Sequence, residues 1–286
     1  MSKRIFAVLS LLLVFLAAGT FPAQAQSADA KALLDEAAKA MGGIKALRSL
    51  RNQVVESEGK QFEHASPERP LGPGKQTSSF RYTLTRDLTQ LRLRIEWDGR
   101  LSARGEALRY VEIIDGAMGL LEEPGTGAAG KQSRLHPARL ATRLRDEKRA
   151  AAKIVLIALG QKNLRRLANA ELDGKSHQVL AFKDSGDEFL IYLDSKTRLP
   201  AQVETMEDDP LEGDSRYTLR YAEWRKVDGV MAPFSLRTEL NGKPLQEEQI
   251  KSVRHNVMLA PEIFSVPESV RSQKSDARPI ASQWLL

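Results

Sequence analysis

The feature that most constrains the fold is a hydrophobic period of two, which begins near Asn52 and recurs to about residue 240. Apolar residues at 91, 93, 95 and 97 alternate with charged residues at 92, 94, 96 and 98. A strand that is apolar on one face and charged on the other borders both core and water, as in antiparallel sheets. Asp228-Gly229 and Asn241-Gly242 are dipeptides favoured in tight hairpins. The pattern predicts an antiparallel meander of about nine to eleven strands.

Two segments have the period of a helix instead. Residues 29–41 place apolar side chains at 30, 33, 34, 37 and 41, which is one helical stripe, and Gly42-Gly43 ends it. The range Pro137 to Leu159 tolerates proline in its first turn and spaces five apolar residues on one face. A short helical turn over 44–50 is also expected. The fold class is therefore α+β, a curved antiparallel sheet covered by two or three helices.

The N-terminus has the pattern of an export signal. Lys3 and Arg4 precede an apolar run of 14 residues, Ile5 to Ala18, and Ala23-Gln24-Ala25 is an A-x-A cleavage motif. The run is shorter than the roughly 20 residues of a spanning helix. We predict a signal peptide over residues 1–25 and a periplasmic mature chain that starts near Gln26.

The composition limits the chemistry available. The chain has no cysteine, which excludes disulfides, thiolate metal sites, a cysteine nucleophile and a lipidated cysteine anchor. Without Lys3 and Arg4 the net charge falls from +6 to +4, too modest to argue for a nucleic-acid partner.

No local motif for catalysis or metal binding stands out. His64, His136, His177 and His255 are dispersed, without an H-x-H or H-E-x-x-H pair, and no G-x-S-x-G motif is present. The range Gly125 to Lys131 matches G-x-x-x-x-G-K but lacks the hydroxyl residue that should follow. We predict no catalytic residue, no metal site and no cofactor. A hydrolase whose metal site is assembled from distant histidines and carboxylates remains an open, weaker hypothesis.

The apolar strand faces carry the main functional suggestion. A curved antiparallel sheet of this strand count is large enough to leave an apolar cavity. The alternative is a core packed solid by the helices. We predict that a hydrophobic ligand lies against Phe80, Tyr82, Leu91, Leu93, Ile95, Trp97, Tyr217, Leu219 and Tyr221.

The predicted 137–159 helix has a basic second face. Arg139, Arg143, Lys148 and Arg149 lie on it and are candidates for contact with anionic lipid headgroups or an acidic partner. The simpler interpretation is a solvated helix face.

Three stretches resemble a known superfamily. They are FLIYLDSKTRLPAQVET (189–205), YAEWRKVDGVMAPFSLRTELNG (221–242) and HNVMLAPEIFSVPE (255–268). With the ALLDEAAKAMGG helix before them, they resemble the LolA/LolB/LppX superfamily of periplasmic lipoprotein and lipid carriers. The resemblance covers about a third of the chain. It implies an open, incomplete β-barrel whose apolar interior accepts acyl chains.

A closer likeness is to the segment that precedes a metallo-β-lactamase-fold domain in some exported bacterial proteins. There a similar stretch ends in QWLL, as residues 283–286 do here, but the H-x-H-x-D-H signature of the zinc domain is absent from this chain. The resemblance implies a carrier-like module over 26–270, a boundary segment over 271–286 and no hydrolase activity. Two functions follow: a binding module for a hydrophobic small molecule, a lipid, an acyl group or an acylated protein, or an accessory domain of an exported hydrolase.

Overall fold

The computed structural model describes residues 23–63, 74–125, 130–209 and 213–274. The helices are α1 (Ala23–Ala40), α2 (Ile44–Arg48), α3 (Pro137–Lys148), α4 (Ala151–Leu159) and α5 (Glu268–Arg271), with a 3₁₀ turn η1 at Pro261–Phe264. The strands are β1 (Asn52–Phe62), β2 (Gln76–Asp87), β3 (Arg92–Leu101), β4 (Ala107–Asp115), β5 (Met118–Glu123), β6 (Lys131–Arg134), β7 (Arg165–Arg166), β8 (Ala170–Leu172), β9 (Lys175–Asp184), β10 (Asp187–Asp194), β11 (Pro200–Asp209), β12 (Gly213–Ala222), β13 (Arg225–Val227), β14 (Val230–Ala232), β15 (Ser235–Leu240) and β16 (Lys243–His255).

Fourteen of these strands form one antiparallel sheet. Its order is β6-β5-β4-β3-β2-β1-β16-β15-β12-β11-β10-β9-β7, with β8 beside β9, and β13 pairs only with β14. The two ends of this order, β6 and β7, are not paired with each other, so the described sheet is open. The α+β class and the curved antiparallel sheet are confirmed. The predicted number of strands is too low, because β6, β7, β8, β13 and β14 have only two to four residues each and show no alternation.

The first and last long strands meet in the middle of the sheet, where β1 pairs with β16. The register shifts between Glu56 and Ser57, where β16 carries an extra residue. Both predicted hairpin dipeptides form turns with positive φ: Asp228-Gly229 joins β13 to β14, and Asn241-Gly242 joins β15 to β16. Asparagine, aspartate and glycine tolerate that conformation better than other residues.

The helices cover one face of the sheet unevenly. Buried side chains of α1 and α4 pack on the inner face of β9, β10 and β11 in one large hydrophobic core. Helix α3 lies over the other part of that face. On the outer face, Phe264 of η1 and Val270 of α5 pack with Ile113 and Leu120. The predicted domain limit at residue 270 falls inside α5, whose Arg271 pairs with Asp115 at 2.8 Å.

Two helix predictions need correction. The described residues form five α-helices rather than two or three, because α5 is too short for an apolar stripe to show and the 137–159 segment forms two helices. The predicted single helix over 137–159 is divided, because Ala150 has an extended backbone (φ −56°, ψ 131°) between α3 and α4. None of the described helices has the length and apolar character needed to span a bilayer. The predicted signal peptide, apart from the first residues of α1, lies outside the described residues.

Candidate binding cavity

A cavity of about 400 Å³ lies between the concave sheet face and α3. Strands β1, β2, β3, β12, β15 and β16 form its floor, α3 and the start of α4 its roof, and residues 230–233 one side. Binding sites for small molecules are commonly about 300–1,000 Å³. The side chains of the described residues therefore leave space for a ligand in this part of the fold.

Most of the residues predicted to line a cavity lie on its wall. They are Tyr82, Leu93, Ile95, Trp97, Tyr217, Leu219 and Tyr221. Cross-strand pairing explains this, because Leu84 lies opposite Ile95 and Tyr82 opposite Trp97 on the inner face. On the far side of the floor, Tyr221 lies opposite Leu236. The alternation of apolar and polar residues in these strands therefore predicted correctly which side chains face inward.

Two of the predicted residues are not among those that line the cavity. Leu91 lies in the turn before β3 and is 39% exposed, since the hairpin uses that position and the strand begins one residue later. Phe80 is buried one pair further along β2, opposite Gly59, where a Cβ on the glycine would come within 2.6 Å of the phenyl ring. Phe80 stacks on Trp97 with 4.3 Å between ring centroids. Phe80 therefore packs beside the cavity wall, against Trp97, and does not line the cavity.

At one end of the cavity, a buried carboxyl group is held by neutral hydrogen-bond donors. The Tyr82 hydroxyl donates to Glu248 Oε2 at 2.5 Å, and Ser57 Oγ donates to the same oxygen at 3.3 Å. Gln246 Nε2 donates to Glu248 Oε1 at 2.5 Å. Burial raises the pKa of Glu248 more than these hydrogen bonds lower it. Burial and the nearby Glu248 also raise the pKa of Tyr82.

The four basic residues predicted to contact a membrane or partner, Arg139, Arg143, Lys148 and Arg149, are paired with carboxylates within the fold. Arg139 and Arg143 both pair with the buried Glu112, Arg143 at 2.7 Å. The Arg149 side chain is wholly buried and pairs with Asp146 at 2.9 Å. Lys148 pairs with Asp184 at 2.8 Å.

The physical reason is that carboxylates on distant strands, Glu112 on β4, Asp184 on β9 and Glu207 on β11, lie beside this segment and pair with its cations. The Tyr221 hydroxyl donates to the carbonyl of Arg149 at 2.5 Å, within the turn where the two helices separate. These four cations are thus occupied within the fold.

Glu112 on β4 is the acceptor that holds α3 to the sheet. It lies on β4 opposite Ile95, and its carboxylate is completely buried. Burial opposes ionisation, but Arg143 and Arg139 outweigh it and hold the pKa of Glu112 below its usual value. Glu112 and Glu248 are therefore two buried carboxyl groups with opposite pKa shifts. The arginines near Glu112 account for the difference.

Several cavity residues escaped the sequence analysis. The apolar ones are Val55, Leu84, Val230, Ala232, Leu236, Ile250 and Val253, and the polar ones include Gln53, Arg86, Gln246 and Glu248. On β1 and β16 the inner face mixes polar and apolar residues, so a simple hydrophobic period does not identify it. The bulge near Ser57 also changes which residues of β16 face inward.

A larger groove of about 700 Å³ lies on the outer face of β1 to β4. Surface ion pairs line it, such as Asp98 with Arg81 at 2.7 Å and with Arg109 at 3.1 Å. These arginines are 76% and 63% exposed, so the groove is open to water. It is a poorer candidate than the inner cavity for an apolar ligand.

The described histidines do not converge. His136 accepts a hydrogen bond from the Ala138 amide at the start of α3, His177 lies 2.9 Å from the Lys175 carbonyl, and His255 lies 3.0 Å from Gln53. No group of three histidine, aspartate or glutamate side chains within the described ranges is placed to hold a metal ion. His64 lies outside those ranges.

The chain has an open antiparallel sheet whose concave face, covered by helices, encloses a cavity. This is the LolA-like fold. It is similar to a LolA superfamily protein from Nitrosomonas europaea, at 15% sequence identity and a TM-score of 0.50. That match covers 83% of this chain and 97% of the other. No protein-family model matches the sequence, and no curated protein matches it.

Two further structures have lower similarity. LprF from Mycobacterium bovis has 11% identity and a TM-score of 0.30, over 82% of this chain and 96% of LprF. The MucA/MucB complex of Pseudomonas aeruginosa has 13% identity and a TM-score of 0.27, over 84% of this chain and 61% of the matched chain. The fold assignment rests on the Nitrosomonas europaea protein.

Proposed function

We propose that the chain is an exported, periplasmic binding module for a hydrophobic ligand, a lipid or acyl group, with no catalysis of its own. The main observation in support of this proposal is the cavity of about 400 Å³ between the sheet and α3. The binding domain would comprise residues 26–270. The export signal in the sequence and the LolA-like fold support the proposal.

The cavity wall suits an alkyl chain. Leu84, Ile95, Val55, Ile250 and Val253 lie on its floor and offer no hydrogen bond to a polar ligand. Each buried methylene contributes about 0.8 kcal/mol, so a chain of about ten methylenes gives useful affinity before the cost of ordering it. Specific side chains are not needed for this part of the binding.

Native mass spectrometry of protein purified from cells tests the proposal directly. We expect lipid adducts that disappear after extraction with organic solvent and return when lipid is added. Absence of adducts before and after lipid addition would contradict it.

A matched pair of variants locates the site. Leu84→Trp places an indole in the cavity, whereas Thr83→Trp places one on the outer face of the same strand. We expect the first to lower lipid occupancy at least tenfold and the second to leave it unchanged, with similar circular dichroism for both. Equal occupancy in the two variants would place the ligand elsewhere.

The accessory role beside an exported metallo-β-lactamase-fold hydrolase stays a prediction. The residues that suggested it, 283–286, lie outside the described residues.

A further inference from the structure

Arg86 is the one cavity-lining arginine whose charge is poorly matched within the described residues. It lies on the inner face of β2, and its side chain is only 11% exposed. Its ion pair with Glu147 is long, at 3.4 Å. Its Nε is buried with no hydrogen-bond partner in the described part of the chain. A buried N–H without a partner costs free energy, and the long ion pair leaves the charge of Arg86 only partly matched.

The other two arginines of the wall are better matched. Arg143 donates through Nε to Glu112 at 2.7 Å, and Arg139 pairs with the other oxygen of the same carboxylate. Arg86 has no such bidentate acceptor. Its counter-ion Glu147 lies closer to a second cation, Lys153, at 2.9 Å. One carboxylate is therefore shared between two cations at this end of the cavity.

The surroundings of Arg86 leave room for one additional negative charge. Its cross-strand neighbours on the inner face are Gln53 and Leu93, and neither carries charge. The ion pairs around α3 contain one more cation than carboxylates: seven cations, Arg86, Arg139, Arg143, Arg145, Lys148, Arg149 and Lys153, and six carboxylates, Glu112, Asp146, Glu147, Asp184, Asp187 and Glu207. This local excess of positive charge favours an anion over a cation.

An apolar path leads away from Arg86. Leu84 and Tyr82 follow it on the inner side of β2, and Tyr82 lies about 13 Å from Arg86 along the strand at ~3.3 Å per residue. The wall between them includes Ile95 and Val55. A guanidinium is the side chain best suited to bind a carboxylate or phosphate. The polar and apolar parts of the cavity thus match an amphiphile in one orientation.

We propose that Arg86 binds the anionic head, a carboxylate or a phosphate, of an amphiphile whose chain lies along the apolar wall toward Tyr82. This inference rests on the proposed function, because it assigns a head group to the ligand of the same cavity.

The test uses displacement of a neutral, environment-sensitive fluorophore from delipidated protein by four probes with the same ten-carbon chain. These are decanoate, decyl phosphate, decanol and decylammonium. We expect decanoate or decyl phosphate to bind about tenfold tighter than decanol, because a hydrogen bond between two charged groups is stronger than one to a neutral hydroxyl. The anion that binds more tightly identifies the class of head group, carboxylate or phosphate.

Variants assign the difference to Arg86. Arg86→Met should reduce the affinity for the anions to that for decanol and leave decanol unchanged. Arg81→Met, on the outer face of the same strand, is the matched control and should change neither. Glu147→Gln removes the competing carboxylate and should raise anion affinity by a few-fold, which keeps the test decisive if Arg86→Met folds poorly.

The outcomes separate the two proposals. If no probe displaces the fluorophore, the proposed function fails. If decanol and the anions bind equally in the unaltered protein, the cavity binds chains but the role of Arg86 is wrong. Tightest binding of decylammonium would overturn the inference and point to the Glu248 end of the cavity.

Discussion

The two parts of the concave face are filled differently, although one continuous sheet forms both. Under α1 and α4, the inner side chains of β9 and β10 are completely buried: Leu180, Phe182, Phe189, Ile191 and Leu193. Under α3, the floor of β1, β2 and β3 faces a cavity of about 400 Å³. The first part is a solid core and the second is hollow.

The helices explain the difference. Helix α4 (AAKIVLIAL) contributes Ile154, Val155 and Ala158, all fully buried, so it lies close to the strands. Helix α3 (PARLATRLRDEK) packs Leu140 and Leu144 against the sheet on one side and presents arginines to the cavity. Long guanidinium side chains that pair with Glu112 on β4 hold this part of the helix away from the apolar floor. Charged residues on the inner side of a covering helix therefore preserve a cavity that leucines in those places would fill.

A matched pair of core deletions should separate the two parts most strongly. Ile191→Ala, in the solid core, should lower the free energy of unfolding by about 4 kcal/mol, because it leaves a new void. Ile95→Ala, on the cavity wall, should cost about 2 kcal/mol, since that side chain has fewer neighbours to lose. Urea denaturation of delipidated protein measures both. Equal losses would contradict the difference in packing.

Removal of the carboxylate that holds α3 should have the next largest effect. Glu112→Gln leaves Arg139 and Arg143 without their counter-ion, and we expect a loss of about 2–3 kcal/mol at neutral pH. Both arginines retain some exposure, so the loss should be smaller than for a fully buried pair.

The pH dependence identifies the carboxylate as the cause. Burial opposes the shift, but Arg143 and Arg139 lower the pKa of Glu112 below the ordinary value of 4.5. A lowered pKa contributes stability above the unfolded pKa, and this contribution is lost as the pH falls through the folded pKa. The difference between the unaltered protein and Glu112→Gln should therefore shrink below about pH 4.5. A difference that does not change with pH would show that packing, not charge, is responsible.

The solid part of the fold was largely predictable from the sequence, and the reason is visible in its strands. The inner residues Leu180, Phe182, Phe189, Ile191 and Leu193 of β9 and β10 are apolar, and on β10 buried and less buried residues alternate, so the period of two indicates the face directly. The same logic located Tyr82, Leu93, Ile95 and Trp97. Short strands of two to four residues carry no such pattern and were missed.

The hollow part was less predictable because polar residues face inward there. The inner face of β1 reads Gln53, Val55, Ser57, Gly59 and Gln61, which has no hydrophobic period. The arginines of α3 likewise appeared to be a solvated face, since the carboxylate that receives two of them lies on a distant strand. Sequence spacing reveals burial against apolar partners, whereas buried ion pairs depend on tertiary contacts that local spacing does not encode.

The second buried glutamate should respond to pH in the opposite sense, with the smallest effect of the three. Burial raises the pKa of Glu248 above the ordinary value of 4.5, although hydrogen bonds from Tyr82, Gln246 and Ser57 oppose the rise. The folded protein therefore keeps a proton that the unfolded chain has lost. Linkage then requires stability to fall as the pH rises from the unfolded to the folded pKa, and to remain lowered above it.

Glu248→Gln removes this titration while it retains an oxygen that accepts the Tyr82 hydroxyl. We expect the variant to be no more stable than the unaltered protein below pH 4.5 and relatively more stable at neutral pH, as measured by urea denaturation across that range. The effect should be small, because the amide can keep hydrogen bonds with its neighbours. If the variant instead loses stability relative to the unaltered protein as the pH rises, Glu248 is ionised and paired in the folded state. The carboxylate of Glu248 would then be stabilised by its partners in the same way as that of Glu112.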